Sequence, residues 1–453
     1  MRPLPVAVPL ALVLALPACG TGGPAGPETV TLTITANAIS GGKNAEGADW
    51  IKNWVIPRFE STHRNVKVLF QPSGVDDEQY KTRLALDLKS RRGADVIAVD
   101  GIWVGEFAQA GYLKPLAEVG GPGVDSWEGW TQIPQAVQGL GVFEGKKYGL
   151  PLGTDGRVLF YNKALFRKAG LPETWQPTSW QDILDAGRRL KDAGVPVPVQ
   201  INAGTAMGEA TTMQGVLPLL AGAGAEIYAD RKWTGASQAM KDVLAFYRQL
   251  YGGSGLGDPK LQQEAKGRDK SFAQFAEGKI GILAESDYFW RSVVEPQAGI
   301  AKMADRDQVV GYAKIPAKQP GAGIRGQDFV SMSGGAVRVL NPFTKNGKLA
   351  WELLSFMHSK EATKAELAGQ VRISARKDVN DEVLGADPML KFIADEVLPI
   401  TAYRPPLAVY PQVSVAVQEA TAAVVSGTPP DEAASAYQAK LEGLVGGAAN
   451  VAG

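Results

Sequence analysis

The stretch from Val30 to Val99 constrains the fold most, because its hydrophobic period switches between two residues and three to four. Residues 30–36 (VTLTITA) alternate apolar side chains with threonine, the pattern of a half-buried strand. Residues 50–60 put Ile51, Trp54, Val55 and Phe59 on one side of a helix whose last turn Pro57 should bend. Residues 66–70 read as a second strand. Within 77–90, Tyr80, Leu84 and Leu88 recur four apart, a helix with one packed face. ADVIAV at 94–99 is nearly all apolar, as expected of a parallel strand covered on both faces. This strand–helix order predicts an open, doubly wound α/β sheet. Ligands of such sheets bind outside the carboxyl ends of the strands, so Asn37 and Asp100 should face a crevice.

The same grammar returns downstream. Strands are predicted at 157–162, 197–201 and 279–283, and helices at 180–193, 236–251, 350–358 and 430–445. The chain of 453 residues exceeds one ordinary core, which stops growing near ~250–300 residues, so two lobes are expected. GLPLG at 149–153 is the best candidate for a first crossing between them.

The amino terminus points to an exported protein. Met1-Arg2 precedes the apolar run Val6 to Leu16, which is too short for the ~20 residues a membrane helix needs. Leu16-Pro17-Ala18-Cys19 resembles the lipobox of bacterial lipoprotein precursors. That resemblance implies a signal peptide over 1–18, a lipid on Cys19 and a flexible tether over 19–28. The alternative is a secreted protein with a leftover buried cysteine. Cleavage removes Arg2 alone among the charged residues, so the mature chain carries a net charge of −1. A chain with 47 basic and 47 acidic residues lacks the positive surface that nucleic-acid binding needs. One Cys and two His, His63 and His358, leave little for a metal cage.

Residues 100–116 (DGIWVGEFAQAGYLKPL) resemble the extracellular solute-binding proteins of carbohydrate ABC transporters, maltose- and trehalose-binding types in particular. KYGLP at 147–151, LFYNKALF at 159–166, FAEGKIGI at 275–282 and SGG at 333–335 follow in that family's order and spacing. The similarity runs from 29 to about 445. It implies a type II periplasmic-binding-protein fold of two α/β lobes around a ligand cleft with hinge crossings near 153, 314 and 359. Lobe one would hold 29–153 and 314–358, and lobe two 154–313 and 359–453. The implied partners are a di- or oligosaccharide and the permease subunits of an importer, reached by a monomer anchored on the extracellular face of the membrane. No bond breaking, cofactor or metal is implied.

Sugars present apolar CH faces to aromatic rings and hydroxyls to paired donors and acceptors. Asp100 and Asp155 sit at interlobe strand ends and are expected to accept sugar hydroxyls. A turn or N-cap role rivals this for Asp100, and a hinge hydrogen bond for Asp155. Within ESDYFW at 285–290, Tyr288 takes the family's stacking position, although Phe289 or Trp290 could point into the cleft instead. Gly334 and Gly335 would let backbone amides approach a ligand, or form a plain turn. Arg404 matches a late arginine of the family, with a surface ion pair as its rival. Further candidates are Asn37, Trp103, Asn202, Glu209 and Gln214. Trp103 could simply pin a helix, and Glu209 could serve a helix dipole. Arg372 stands where the family has a small or proline-containing turn, and the Asp76-Asp77-Glu78 run reads as solvated structure.

No G-x-x-x-x-G-K-[ST] loop, G-x-S-x-G elbow or H-E-x-x-H pair appears. Counting alone leaves a glycosidase open, since Asp100 and Asp155 could lie ~5–9.5 Å apart; only the resemblance argues against it. The remaining alternatives are a receptor for a polyamine or phosphate ester, an extracellular polysaccharide-active enzyme, and an adhesion lipoprotein.

Overall fold

The strands lie where the apolar alternation puts them. The computed structural model describes residues 29–75, 77–368 and 371–453, so the signal peptide, Cys19 and the tether lie outside the described residues. Along the chain run β1 Val30–Ala36, β2 Val66–Pro72, β3 Val96–Asp100, β4 Gly149–Pro151, β5 Arg157–Asn162 and β6 Val197–Gln200. They are followed by β7 Ile280–Ser286, β8 Val310–Ala313, β9 Phe329–Ser333, β10 Ala336–Leu340 and β11 Thr401–Tyr403.

One sheet has the order β2-β1-β3-β10-β4. Its first three strands are parallel, and β10 runs antiparallel to both β3 and β4. A second sheet has the order β8-β5-β7-β6. All six residues of β5 and all seven of β7 are buried, so helices cover both faces. The helix Trp180–Asp192 is one cover. It buries Trp180, Ile183, Leu184 and Leu190 as its periodicity predicts. Ser179 and Asp182 close a capping box at its start, worth about 1 kcal/mol.

The helix over 50–60 differs from expectation. It starts earlier, at Ala45, and widens into a π-turn at Ile51–Val55 before Pro57. Proline has no N–H to give back to the preceding turn, and the wide turn accommodates that loss.

Two of the three expected crossings move. The segment after 314 stays with the second lobe: β9 pairs with Ile315–Pro316 and with β11, and Val330 and Met332 pack in one cluster with Leu219 and Leu220. The chain enters the first sheet only at Ala336, so this crossing is Gly334-Gly335. The third crossing also comes later than 359. Trp50 Nε1 donates to the Ala362 carbonyl at 2.9 Å, fastening the helix Lys360–Leu367 to the first lobe. The chain reaches the second lobe by Asp387, which accepts from Trp290 Nε1, and by Phe392, whose ring packs on Tyr312. Both displaced boundaries are set by tertiary contacts that no local pattern encodes.

A buried charge cluster fastens β10 to these helices. Arg338 Nη2 donates to Glu366 Oε1 at 3.1 Å, and its Nη1 lies 3.4 Å from His358 Nε2. Burial first, then the charges of Arg338 and Arg376, hold the His358 imidazole well below its ordinary pKa. The unfolded chain therefore binds a proton near pH 6.5 that the folded chain refuses. This contribution to stability is complete above pH 6.5 and is lost as pH falls, by up to about 1.4 kcal/mol per pH unit. Denaturation midpoints of the wild type and His358→Gln, compared between neutral and mildly acidic buffer, should show the shallower decline in the variant. Equal declines would refute this account.

Candidate functional site

β1 and β3 end side by side, and the residues just past them open into a cavity of about 290 Å3. Asn37, Asp77, Asp100 and Trp103 line it, with Glu366 and Arg372 on the far wall. A second cavity of about 210 Å3 shares Leu152, Ala336, Glu366 and Arg372 with the first. It adds Thr154, Asp155, Gly334 and Gly335 at the crossings, and Arg291 from the second lobe. A larger cavity, about 770 Å3, lies beside the Arg404 segment, among Phe143, Leu217, Ala221 and Tyr228. It includes neither Asp100 nor Asp155, which line the smaller pair.

Asp155 is tied to the Gly334 crossing and to a buried guanidinium. Its Oδ1 accepts from the Gly334 amide at 2.7 Å and pairs with Arg157. Arg157 is buried and donates in turn from Nε to Gln214 Oε1 at 2.8 Å. Gln214 thus positions Arg157, and Arg157 positions Asp155. Asp100 serves a turn and the cavity together: its Oδ1 accepts from Ile102 N at 3.1 Å while its side chain lines the 290 Å3 space. Burial pushes its carboxyl above the usual carboxylate range, with the Arg404 charge opposing.

Arg404 lines the 770 Å3 cavity rather than the smaller pair, and its guanidinium reaches the Gly334 crossing, where a built Cβ would lie 3.6 Å from its Nη2. Its Nη1 sits 3.3 Å from Glu209 Oε1. Glu209 also accepts from Tyr410 Oη at 2.7 Å and Ser414 Oγ at 2.5 Å. With both oxygens occupied, Glu209 aims Arg404.

Other expected residues divide. Asn37 Nδ2 donates to the Val75 carbonyl and to Asp77 Oδ1, which Lys43 also holds. Asp77 is exposed at the start of its helix, as its reading as solvated structure expects, and it also borders the cavity. Trp103 lines the cavity with one edge and packs near Tyr80 and Phe107 with the rest. Asn202 is fully buried, bonded to Gln200 Nε2 and the Ala210 carbonyl, so its role is to hold its loop. Trp290 belongs to the core: its indole N–H points at Asp387 and the Arg306 guanidinium covers its ring at 3.8 Å. Phe289 is likewise buried among Phe160, Phe272 and Phe275. Tyr288 alone of the three keeps partial exposure, with the guanidiniums of Arg268 and Arg291 5.9 and 5.6 Å from its ring centre.

The model of the bacterial extracellular solute-binding protein family matches residues 43–364, well over half of the chain. The chain belongs to that family. This family and its fold are those of binding proteins. A putative binding protein of Brucella abortus (strain 2308) is 25% identical over 280 residues, 62% of each chain. The match therefore spans just under two thirds of that curated relative's length. Among solved structures, a solute-binding protein of an ABC transporter from Thermotoga lettingae, bound with α-D-tagatose, is 25% identical, with a TM-score of 0.66 over 92% of this chain and 99% of the other. The sugar-binding protein MalE of Xanthomonas citri shares the two-lobed fold, with a TM-score of 0.74 at 16% identity over 92% and 98% of the two chains. Among the described residues, no helix is long and apolar enough to cross a membrane and no His, Cys, Asp and Glu group could hold a metal ion.

Sequence reasoning missed Arg157, Arg291 and Glu366, and left Arg372 as a departure from pattern. The missed signal was a charge inside or beside an apolar strand. Arg157 opens RVLFYN, and Arg338, the partner of Glu366, interrupts AVRVL.

Proposed function

We propose that this solute-binding protein captures a carbohydrate, a di- or oligosaccharide, between its two lobes and delivers it to an ABC importer. The observation that carries this reading is the pair of adjoining cavities, one lined by the carboxylates of Asp100 and Asp77 and the other by the guanidinium of Arg291 and the Gly334-Gly335 crossing. Carboxylates accept from neighbouring hydroxyls, and guanidiniums donate to ring and hydroxyl oxygens. Tyr288 offers a ring face beside them. The tagatose-bound relative supports a sugar as ligand. A ligand touching both lobes binds the closed state better than the open one, and that difference drives closure. The lipobox supports a mature protein anchored through Cys19 on the extracellular face of the membrane, acting as a monomer and docking to permease subunits with its lobe tips.

A thermal-shift panel of mono-, di- and oligosaccharides, with polyamines as controls, tests the reading. One sugar class should raise the melting point with concentration, reaching about 2.7 kcal/mol of stabilisation at a hundred times Kd. A response to polyamines and to no sugar would transfer the site to a cationic ligand.

A further inference from the structure

The charges around the 210 Å3 cavity do not balance. Asp155 has Arg157 and the Gly334 amide. Asp287 has Arg291, at 2.9 Å. Glu366 has Arg338, at 3.1 Å, and both of these are buried. Arg372 then approaches the same Glu366 oxygen at 3.5 Å, from a side chain that is 41% exposed. Two guanidiniums on one carboxylate oxygen leave one positive charge without a counterpart, and it lines both cavities.

The neighbouring 290 Å3 cavity has the opposite surplus. Asp77 is paired with Lys43, but Glu46 and Asp100 form no ion pair among the described residues. Unpaired carboxylates stand where β1 and β3 end, and the Arg372 guanidinium, which lines both cavities, reaches from them to the crossings. Hydroxyls donate to carboxylates, whereas an anionic substituent takes the two parallel donors of a guanidinium fork. Arg291 enters the same cavity from the second lobe, so an anion there is within reach of cations from both lobes.

We propose that the ligand is a carbohydrate bearing an anionic group, a phosphate or a carboxylate, and that Arg372 is the residue that selects it. The proposal rests on the carbohydrate reading above and adds a charge to it. Asp155 does not oppose such a group, because its charge is already matched by Arg157.

Calorimetric titration of the full chain in detergent with glucose 1-phosphate, glucuronate, glucose, maltose and trehalose tests it. One anionic sugar should bind about tenfold tighter than glucose, and the advantage should shrink at high salt. A preference for glucose 1-phosphate assigns a phosphate, and one for glucuronate a carboxylate. Arg372→Gln should abolish that preference, bringing the anionic sugar down to the affinity the same variant has for glucose, and Arg372→Lys should keep part of it. Neutral sugars binding as well as the anionic ones, or a preference that survives Arg372→Gln, would overturn the anionic subsite and leave the carbohydrate reading standing. Silence toward every sugar would overturn both.

Discussion

Asp155→Ala is expected to cost the empty protein about 3 kcal/mol, the lower end of what breaking a buried ion pair costs, as well as most of its ligand affinity. From sequence position alone, truncating this residue should spare the apo protein and weaken only binding. The structure alters that expectation through Arg157. Its guanidinium is 7% exposed and has Asp155 as its only ion-pair partner among the described residues. Removing the carboxylate leaves a buried cation held only by Gln214 and the Met332 carbonyl, and it frees the Gly334 amide at the crossing. The loss of affinity should approach a hundredfold if the second oxygen accepts from the ligand, since a charge-assisted hydrogen bond contributes about 1.5–3 kcal/mol. Asp155→Asn keeps an acceptor for the amide while removing the charge, and should fall between wild type and alanine. Urea denaturation of the three apo proteins, followed by titration with the sugar found by the panel, measures both effects. An apo midpoint unmoved by Asp155→Ala would remove Arg157 from this account.

The legible part of the fold is the part written in local periodicity. β1, β2, β5 and β6 begin at the predicted residues, and helix Trp180–Asp192 buries its predicted stripe, because strand and helix periods depend only on neighbours in sequence. The crossings were less legible. β9 is five residues long and becomes part of the second lobe through its ladder with β11, some seventy residues away. The candidate cleft was half legible for a related reason. Position past a strand end pointed to Asn37 and Asp100, and the family pattern to Asp155, all of which line the two adjoining cavities, whereas the direction of a side chain depends on packing. Nothing in ESDYFW says that Trp290 will turn to Asp387 while Tyr288 stays partly exposed. Nor does the sequence near Glu209 announce that Tyr410 and Ser414 will fill its oxygens.

Gly335→Ala should be the most damaging single methyl added to the crossings, and Gly334→Ala, one residue away, should fail differently. Gly335 has φ +156°, and a Cβ there would lie 2.4 Å from the Gly153 carbonyl oxygen. Backbone is on both sides of that contact, so relief requires the first and second crossings to separate. The Gly335 carbonyl would also be pulled from the Gly101 amide that it accepts from at 2.9 Å. Strain at such a φ costs about 1–3 kcal/mol by itself, and the clash adds to it. Gly334 carries no such constraint. Its Cβ would meet Arg404 Nη2 at 3.6 Å and Asp155 Oδ1 at 3.7 Å, both ordinary contacts, so Gly334→Ala should fold with nearly the wild-type midpoint. The methyl group would nonetheless stand between the two charged groups expected to hold the ligand, and binding should weaken. Thermal melts of both apo variants beside titrations with the same sugar separate the effects: Gly335→Ala should lose stability, and Gly334→Ala should lose affinity at constant stability. If Gly334→Ala binds as well as the wild type, the ligand does not reach the space between Asp155 and Arg404, and the sugar must sit wholly over the ends of β1 and β3.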